Sequence, residues 1–405
     1  MIPMPSHPSM PPVSAEAAGV LPSGIGEVFA YGFDRPGLIP LWVGEGDRPT
    51  PDFIGEAAGR ALRNGATFYT RQLGIPLLRE ALAEYVARLY GGAADPGRFF
   101  VTVGGMHAFQ IAVRIAAEPG DEIVIPTPAW PNFFGAIAAQ GTRTVAVPMQ
   151  FDAAAGWSLD IARIAEAVTP RTRAIVLNSP SNPTGWTATR EDYAAVLAIA
   201  RNHDLWIIAD EIYGRFSFDP AHAELGRAPS IRDVWEVEDR DRVLFVQTFS
   251  KNWAMTGWRV GWLEGPPALG RIVDGLILYA TSGVATFLQH AAATAIRDGE
   301  DLVRGQVAQA REGRRILTEG LGSLPGVDLP PPSGAFYAFP RVTHEPDSRA
   351  LALRLVDEAN VGVAPGTAFG PGGEGFLRLC FARSADDLHE AVRRLSPALS
   401  TPAGR

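Results

Sequence analysis

The stretch RAIVLNSPSNPTGWTATREDYAAVLAIARNHDLWIIADEIY, residues 173–213, decides the fold. Its two apolar blocks, Arg173–Asn178 and Leu205–Asp210, are short and do not alternate between apolar and polar residues. Strands of that kind are covered on both faces, as in a parallel sheet flanked by helices. Between them, Arg190–Asn202 reads as a helix, and the Pro-, Ser- and Asn-rich segment before it reads as a rigid turn. Both strands end on polar residues, and in an open α/β sheet ligands collect beyond such carboxyl ends.

The same alternation extends in both directions. Upstream, helices are expected over Pro51–Asn64, Ile75–Tyr90, His107–Ala117, Asn132–Ala139 and Leu159–Val168, and strands over Phe99–Val103, Asp121–Pro126 and Thr144–Pro148. Downstream, Arg242–Gln247 and Arg259–Leu263 read as two more strands. The pattern then changes to one long helix near Phe287–Leu317, the run Pro330-Pro331-Pro332, Gly-rich turns and a last helix near Ala385–Leu395. The fold class is therefore α/β: a large domain with a mostly parallel sheet flanked by helices, plus a smaller α+β domain. The expected organisation is a disordered tail over 1–22, an N-terminal segment over 23–50 packing with the small domain, a large domain over 51–290 and a small domain over 291–405.

Composition narrows the function classes. With 46% hydrophobic and 20% charged residues, the chain reads as a soluble globular enzyme with a full core. A net charge of -8, with no basic run, gives no support to a nucleic-acid partner. A single cysteine, Cys380, excludes an internal disulfide and reads as a core residue within the apolar stretch Phe376–Phe381. No apolar run reads as a membrane span, and the Pro- and Ser-rich start, Met1–Ser14, does not read as a signal peptide. A cytoplasmic location is the expectation, and no metal site is read.

The chemistry-bearing residues fall at the expected strand ends. Gly104-Gly105-Met106 follows a strand and opens a helix, where backbone N–H groups favour a phosphate. Trp130 stands in a Pro-rich loop and offers a flat ring for stacking. Asn182 sits in the rigid Asn178–Gly185 turn. Asp210 ends a very apolar strand, so its carboxylate needs a partner: a nearby basic side chain, or a protonated ring nitrogen. Lys251, after Thr248-Phe249-Ser250, is placed for desolvation and Schiff-base chemistry, although an ordinary lysine is a solvated surface residue. Arg259 offers paired guanidinium bonds to a phosphate, and Arg378, inside an apolar run, needs an anion. A structural salt bridge and an amino-acid α-carboxylate are both open for Arg378.

Taken in order, these segments resemble the fold-type I pyridoxal-phosphate (PLP) enzymes, specifically the class I/II aminotransferases close to aspartate aminotransferase. The resemblance runs from about Leu41-Trp42-Val43-Gly44-Glu45-Gly46-Asp47 to Ala382, and rests on Asn182, Asp210-x-x-Tyr213, Ser250-Lys251, Thr256-Gly257-Trp258-Arg259 and Arg378. It implies a PLP cofactor held by Lys251 as an internal aldimine, with Lys251 also shuttling the proton between Cα and the cofactor. It implies that Asp210 pairs with the pyridine nitrogen, that Asn182 and Tyr213 donate to the phenolic oxygen, and that Trp130 stacks on the ring. Gly105, Met106, Thr248, Ser250 and Arg259 match the phosphate cradle. Arg378, Asn182 and the backbone at Gly44 match the α-carboxylate site. Tyr69, and with less support Ser282, match residues lent to the partner's phosphate in a homodimer with shared active sites. Phe336 and Tyr337 are expected to line the substrate pocket.

Gly46 stands where the family carries proline, which is expected to loosen the N-terminal segment. No arginine for a substrate side-chain carboxylate is identified, which weakens an aspartate preference. The leading function is transfer of an amino group from an L-amino acid to a 2-oxo acid by a ping-pong mechanism. A PLP-dependent lyase, cyclase or decarboxylase on the same scaffold is the alternative. A non-enzymatic PLP-binding regulator is the least favoured, since no basic DNA-binding segment precedes the matched region.

Overall fold

In the computed structural model, which describes residues 13–19, 24–222, 225–235 and 242–400, the apolar blocks form one seven-stranded sheet. In chain order its strands are β1 (Phe99–Thr102), β2 (Glu122–Thr127), β3 (Arg143–Pro148), β4 (Thr172–Asn178), β5 (Trp206–Asp210), β6 (Val243–Thr248) and β7 (Gly261–Glu264). Their spatial order is β1-β7-β6-β5-β4-β2-β3. The pairs among β2 to β6 are parallel, whereas β7 runs antiparallel to both β1 and β6. The connection from Thr248 to Gly261 contains only a short 3-10 turn, Thr256–Trp258, and no crossover helix, so the chain folds straight back.

The unbroken apolar character of the strands follows from coverage of both faces. Ile175, Leu177, Ile207, Ala209 and Phe245 point into one core cluster. Their neighbours Val176, Ile208, Leu244 and Val246 point into another, with Phe109 and Ile111 of helix Gly104–Ala116.

The C-terminal part is built on a three-stranded sheet of Tyr337–Ala338, Leu377–Cys380 and Ala364–Pro365. Ile39–Pro40 pairs in parallel with Val361–Gly362, and Val28, Leu41 and Trp42 share a core cluster with Leu351, Leu379 and Leu395. The N-terminal segment thus packs on this part. The long helix expected near Phe287–Leu317 is two helices, Thr286–Asp298 and Glu300–Leu321. Gly299, at φ -94° and ψ 14°, leaves helical geometry, and Glu300 and Asp301 supply an acidic first turn for the second helix. Of the tail expected over 1–22, residues 1–12 and 20–22 lie outside the described residues, and Ala15–Ala18 forms one helical turn. No helix among the described residues is long and apolar enough to cross a membrane.

Candidate active site

Strand register gathers the polar strand ends at one edge. Asn178 lies beside Asp210, Asp210 beside Val246, and both Thr102 and Thr248 lie beside Gly261. Beyond that edge lies a cavity of about 320 Å³ that Gly44, Trp130, Asn182, Asp210, Lys251 and Arg378 all line. Its size suits a small aromatic ligand.

Lys251 reaches into this cavity from just past β6, and its Nζ donates to the Gly44 carbonyl at 2.6 Å. Burial pushes its ammonium down to about 8, with Cys380 and Glu45 pulling the other way. Lys251 is also the only lysine in the sequence; every other residue among the 36 Lys and Arg is arginine. A count of residue types exposes this fact, and motif reading alone passes over it.

Asp210 is only 2% exposed, and burial lifts its carboxyl to about 7. It accepts from Asn178 Nδ2 at 3.2 Å and from the Ile212 N–H at 3.3 Å. Among the described residues, no basic side chain forms an ion pair with it. A buried carboxylate with neutral partners is costly unless a cation arrives, and a pyridinium nitrogen is such a cation. Asn178 goes unassigned in the sequence reading, yet its Oδ1 also accepts from the Asn182 N–H at 2.8 Å and so fixes the turn. Its signal was its place as the last residue of a strand.

Arg378, also 2% exposed, donates from Nη1 to Asn182 Oδ1 at 3.2 Å and from Nη2 to the Trp42 carbonyl. Its Nε has no partner, and no carboxylate among the described residues pairs with it. The salt-bridge reading left open for Arg378 therefore has no partner here, and a guanidinium facing the cavity remains available to an anion. Tyr337 packs its ring under this guanidinium at 4.7 Å, and its hydroxyl lies 2.6 Å from that of Tyr213. A Cβ at residue 44 would stand 2.0 Å from the Tyr337 hydroxyl, so Gly44 is the residue that lets the segment approach.

A second anion site lies at the N-terminus of helix Gly104–Ala116. Gly104 adopts φ +76°, and a Cβ there would lie 2.6 Å from Arg259 Nη2. The guanidinium of Arg259, steadied by the Thr256 carbonyl at 2.7 Å, thus packs against the turn that presents Gly105 and Met106. The Thr248 and Ser250 hydroxyls, 2.9 Å apart, complete the cradle. Helix N–H groups, hydroxyls and an arginine form a donor set for a phosphate.

Trp130 lines the cavity and meets Phe133 edge-on at 5.5 Å. Phe336 stands behind the cavity wall, edge-on to Tyr213 at 5.1 Å, and lines a small adjoining pocket; of the adjacent pair, Tyr337 is the one that lines the main cavity. Tyr69 and Ser282 lie away from the cavity of their own chain, and Tyr69 is 96% exposed. The N-terminal segment is tied on both sides of Gly46: Glu45 accepts from Thr256 at 3.0 Å and Asp47 from Gln309 at 3.0 Å.

A desolvated amine, a carboxylate without an ion-pair partner among the described residues and an anion cradle around one small cavity fit amine chemistry on a phosphorylated aromatic group. Residues 36–395 match Aminotransferase class I and II, and the chain belongs to that family of pyridoxal-phosphate enzymes. It is an aminotransferase with the aspartate-aminotransferase-like fold. It is 34% identical to an aspartate aminotransferase of Pyrococcus horikoshii, over 93% of this chain and 94% of that one. It is 33% identical to aromatic-amino-acid aminotransferase 2 of Thermococcus litoralis, over 94% and 96%. A solved structure of a Thermus thermophilus aspartate aminotransferase mutant superposes with a TM-score of 0.87 at 34% identity, covering 96% of this chain and all of that one.

Proposed function

We propose that the chain uses pyridoxal phosphate, held covalently through Lys251, to move an amino group from an L-amino acid to a 2-oxo acid by a ping-pong sequence. The observation that carries this reading is the coexistence, in one cavity, of a desolvated Lys251 amine and a buried Asp210 carboxylate that has no ion-pair partner among the described residues. When bound, the cofactor supplies a sink for the electron pair released at the substrate Cα and carries the amino group between half-reactions. Asp210 would hold a proton on the ring nitrogen, Tyr213 and Asn182 would donate to the phenolic oxygen, and Trp130 would cover the ring. The Gly105 and Met106 amides, Thr248, Ser250 and Arg259 bind the phosphate. Arg378, with Asn182 and the Gly44 backbone, orients the α-carboxylate. Lys251 Nζ moves the proton at Cα. In this assignment 51–290 forms the large, cofactor-binding domain and 291–405 the small one, with 23–50 packing on the latter, in a cytoplasmic enzyme.

The cations lining the cavity are Lys251, Arg259 and Arg378, and each already has a task. Among the described residues of one chain none remains for a second substrate carboxylate, so neutral or aromatic amino acids are expected to outcompete aspartate. The test of the whole reading is a spectrum of the holoenzyme after adding one amino acid without a 2-oxo acid. A lasting change to the pyridoxamine form, reversed by a 2-oxo acid, is expected. Release of ammonia or of an unsaturated product would overturn it.

Arg378→Lys keeps a positive charge but loses the planar fork. KM for the amino acid is expected to rise roughly ten- to hundredfold with a lower kcat, the cost of a lost charge-assisted pair. Unchanged kinetics would remove Arg378 from the carboxylate site.

The working unit is proposed to be a two-fold dimer in which Tyr69 serves the partner's phosphate. Phe68 (85% exposed), Tyr69 and Tyr279 (90% exposed) leave a large aromatic surface uncovered in the single chain. The Tyr69 loop also touches the Ser282 turn, where Gly283 packs against Thr70. A two-fold axis makes the loan reciprocal. Lys251→Ala and Tyr69→Asp homodimers should each be nearly inactive. Mixed in equal amounts, with mixed dimers verified by sedimentation, they should recover roughly a quarter of wild-type activity, because one site in each mixed dimer is whole. No recovery would place Tyr69 with its own chain's site, and an active Tyr69→Asp homodimer would place it with none.

A further inference from the structure

Tyr337 carries a hydroxyl for which neither the assigned chemistry nor the substrate site has a use. It is 1% exposed, and its single hydrogen-bond contact among the described residues is the Tyr213 hydroxyl at 2.6 Å. That spacing is a short O–H···O bond, so one phenol donates and the other accepts. We propose that Tyr337 is a positioning residue that donates to the Tyr213 oxygen, so that the proton of Tyr213 is committed to the cavity and its donor strength is raised.

The surroundings decide the direction of donation. The Arg378 guanidinium lies over the Tyr337 ring at 4.7 Å and draws that phenol toward acidity. Arg378 acts on Tyr213 in the same sense, and both phenols feel the Asp210 carboxylate, which opposes loss of a proton. Burial raises both phenols, so both keep their protons. With the Tyr213 proton assigned to the phenolic oxygen, its oxygen is left to accept, and the Tyr337 hydroxyl has no other partner among the described residues, so Tyr337 gives and Tyr213 receives. Besides Arg378, Tyr213 and Asp210, Tyr337 feels the Cys380 thiol, itself raised by burial. A hydroxyl that accepts one hydrogen bond donates the next more strongly, by roughly 10–30% per bond. The Arg378–Tyr337–Tyr213 chain thus links the α-carboxylate site to the cofactor's phenolic oxygen by a route separate from Asn182.

This inference rests on the cofactor reading given above. Donation to the phenolic oxygen lowers the basicity of the linkage at Lys251, so weakening the donor raises it. The experiment is a pH titration of the visible absorption band of the holoenzyme, without substrate. Tyr337→Phe keeps the ring beneath Arg378 and removes only the hydroxyl. Its titration midpoint is expected to move upward by roughly half a pH unit. Tyr213→Phe should raise the midpoint further, and adding Tyr337→Phe to it should change nothing more, since the effect passes through Tyr213. An unmoved midpoint in Tyr337→Phe overturns the role. So does an equal shift in the Tyr213→Phe background, which would mean that Tyr337 acts by another route. A wild-type protein that takes up no cofactor and shows no band would instead bring down the cofactor reading, and this inference with it.

Discussion

Lys251→Ala is expected to bind pyridoxal phosphate without covalent attachment and to turn over roughly three to five orders of magnitude more slowly than wild type. A large loss is expected because the proposed function gives one atom two tasks: Nζ as the attachment point, and as the base that moves the Cα proton. Borohydride reduction should fix one cofactor per chain at Lys251. The sequence contains no other lysine, so the competing amine is the chain's own N-terminus. Fixation there, or none at all, would remove Lys251 from the chemistry. The pH dependence follows from the amine. Its pKa is pushed down to about 8 by burial, and only the neutral amine is a nucleophile. In the apoenzyme, the rate of covalent loading should therefore rise with pH and level off above about 8. A midpoint near the ordinary lysine range would show that Nζ is solvated.

What the sequence made legible has a physical pattern. Arg173–Asn178 and Leu205–Asp210 announced themselves because both faces of each strand are covered. Ile175 and Val176 point in opposite directions, yet both must be apolar. Asp210, Lys251 and Arg378 were legible for the complementary reason: an ionisable side chain at the end of, or inside, such a block is costly unless it has a use. The direction of β7 was not legible, because an apolar run carries no sign of orientation. The break at Gly299 was hidden by helical patterning on both sides of it. Tyr337 could be placed near the pocket from sequence, but its bond to Tyr213 spans 124 residues and depends on how the C-terminal sheet docks. Phe336 and Tyr337 are adjacent and alternate in direction, so only a register can tell which one faces the cavity. The sole lysine was in plain view throughout, and needed a count rather than a motif.

Asp210→Asn is expected to separate function from stability. Asparagine cannot hold a full proton on the ring nitrogen, so kcat should fall by roughly a thousandfold or more, as carbanion stabilisation weakens. Stability should change in the opposite sense. The Asp210 carboxyl titrates near 7 in the folded apoprotein and near 3.8 as an ordinary aspartate, and burial is the main cause. For a carboxyl raised in this way, the contribution to stability is fully present below about 4 and is lost as pH rises through about 7. Wild-type apoprotein should thus lose ground to Asp210→Asn across that window, by roughly 2–4 kcal/mol at most. Glu211, also lifted to about 7 by burial, tilts both proteins in the same direction, so the difference between them reports Asp210. Bound cofactor is expected to reverse the balance, because in the proposed function a ring cation answers the buried charge. The gain in melting temperature on loading, measured at pH 8, should be larger for wild type than for the variant. A stability difference that does not vary between pH 4 and pH 8 would mean that the Asp210 charge is already compensated within the protein. A variant that turned over at the wild-type rate would mean that the carboxylate serves the fold and not the reaction.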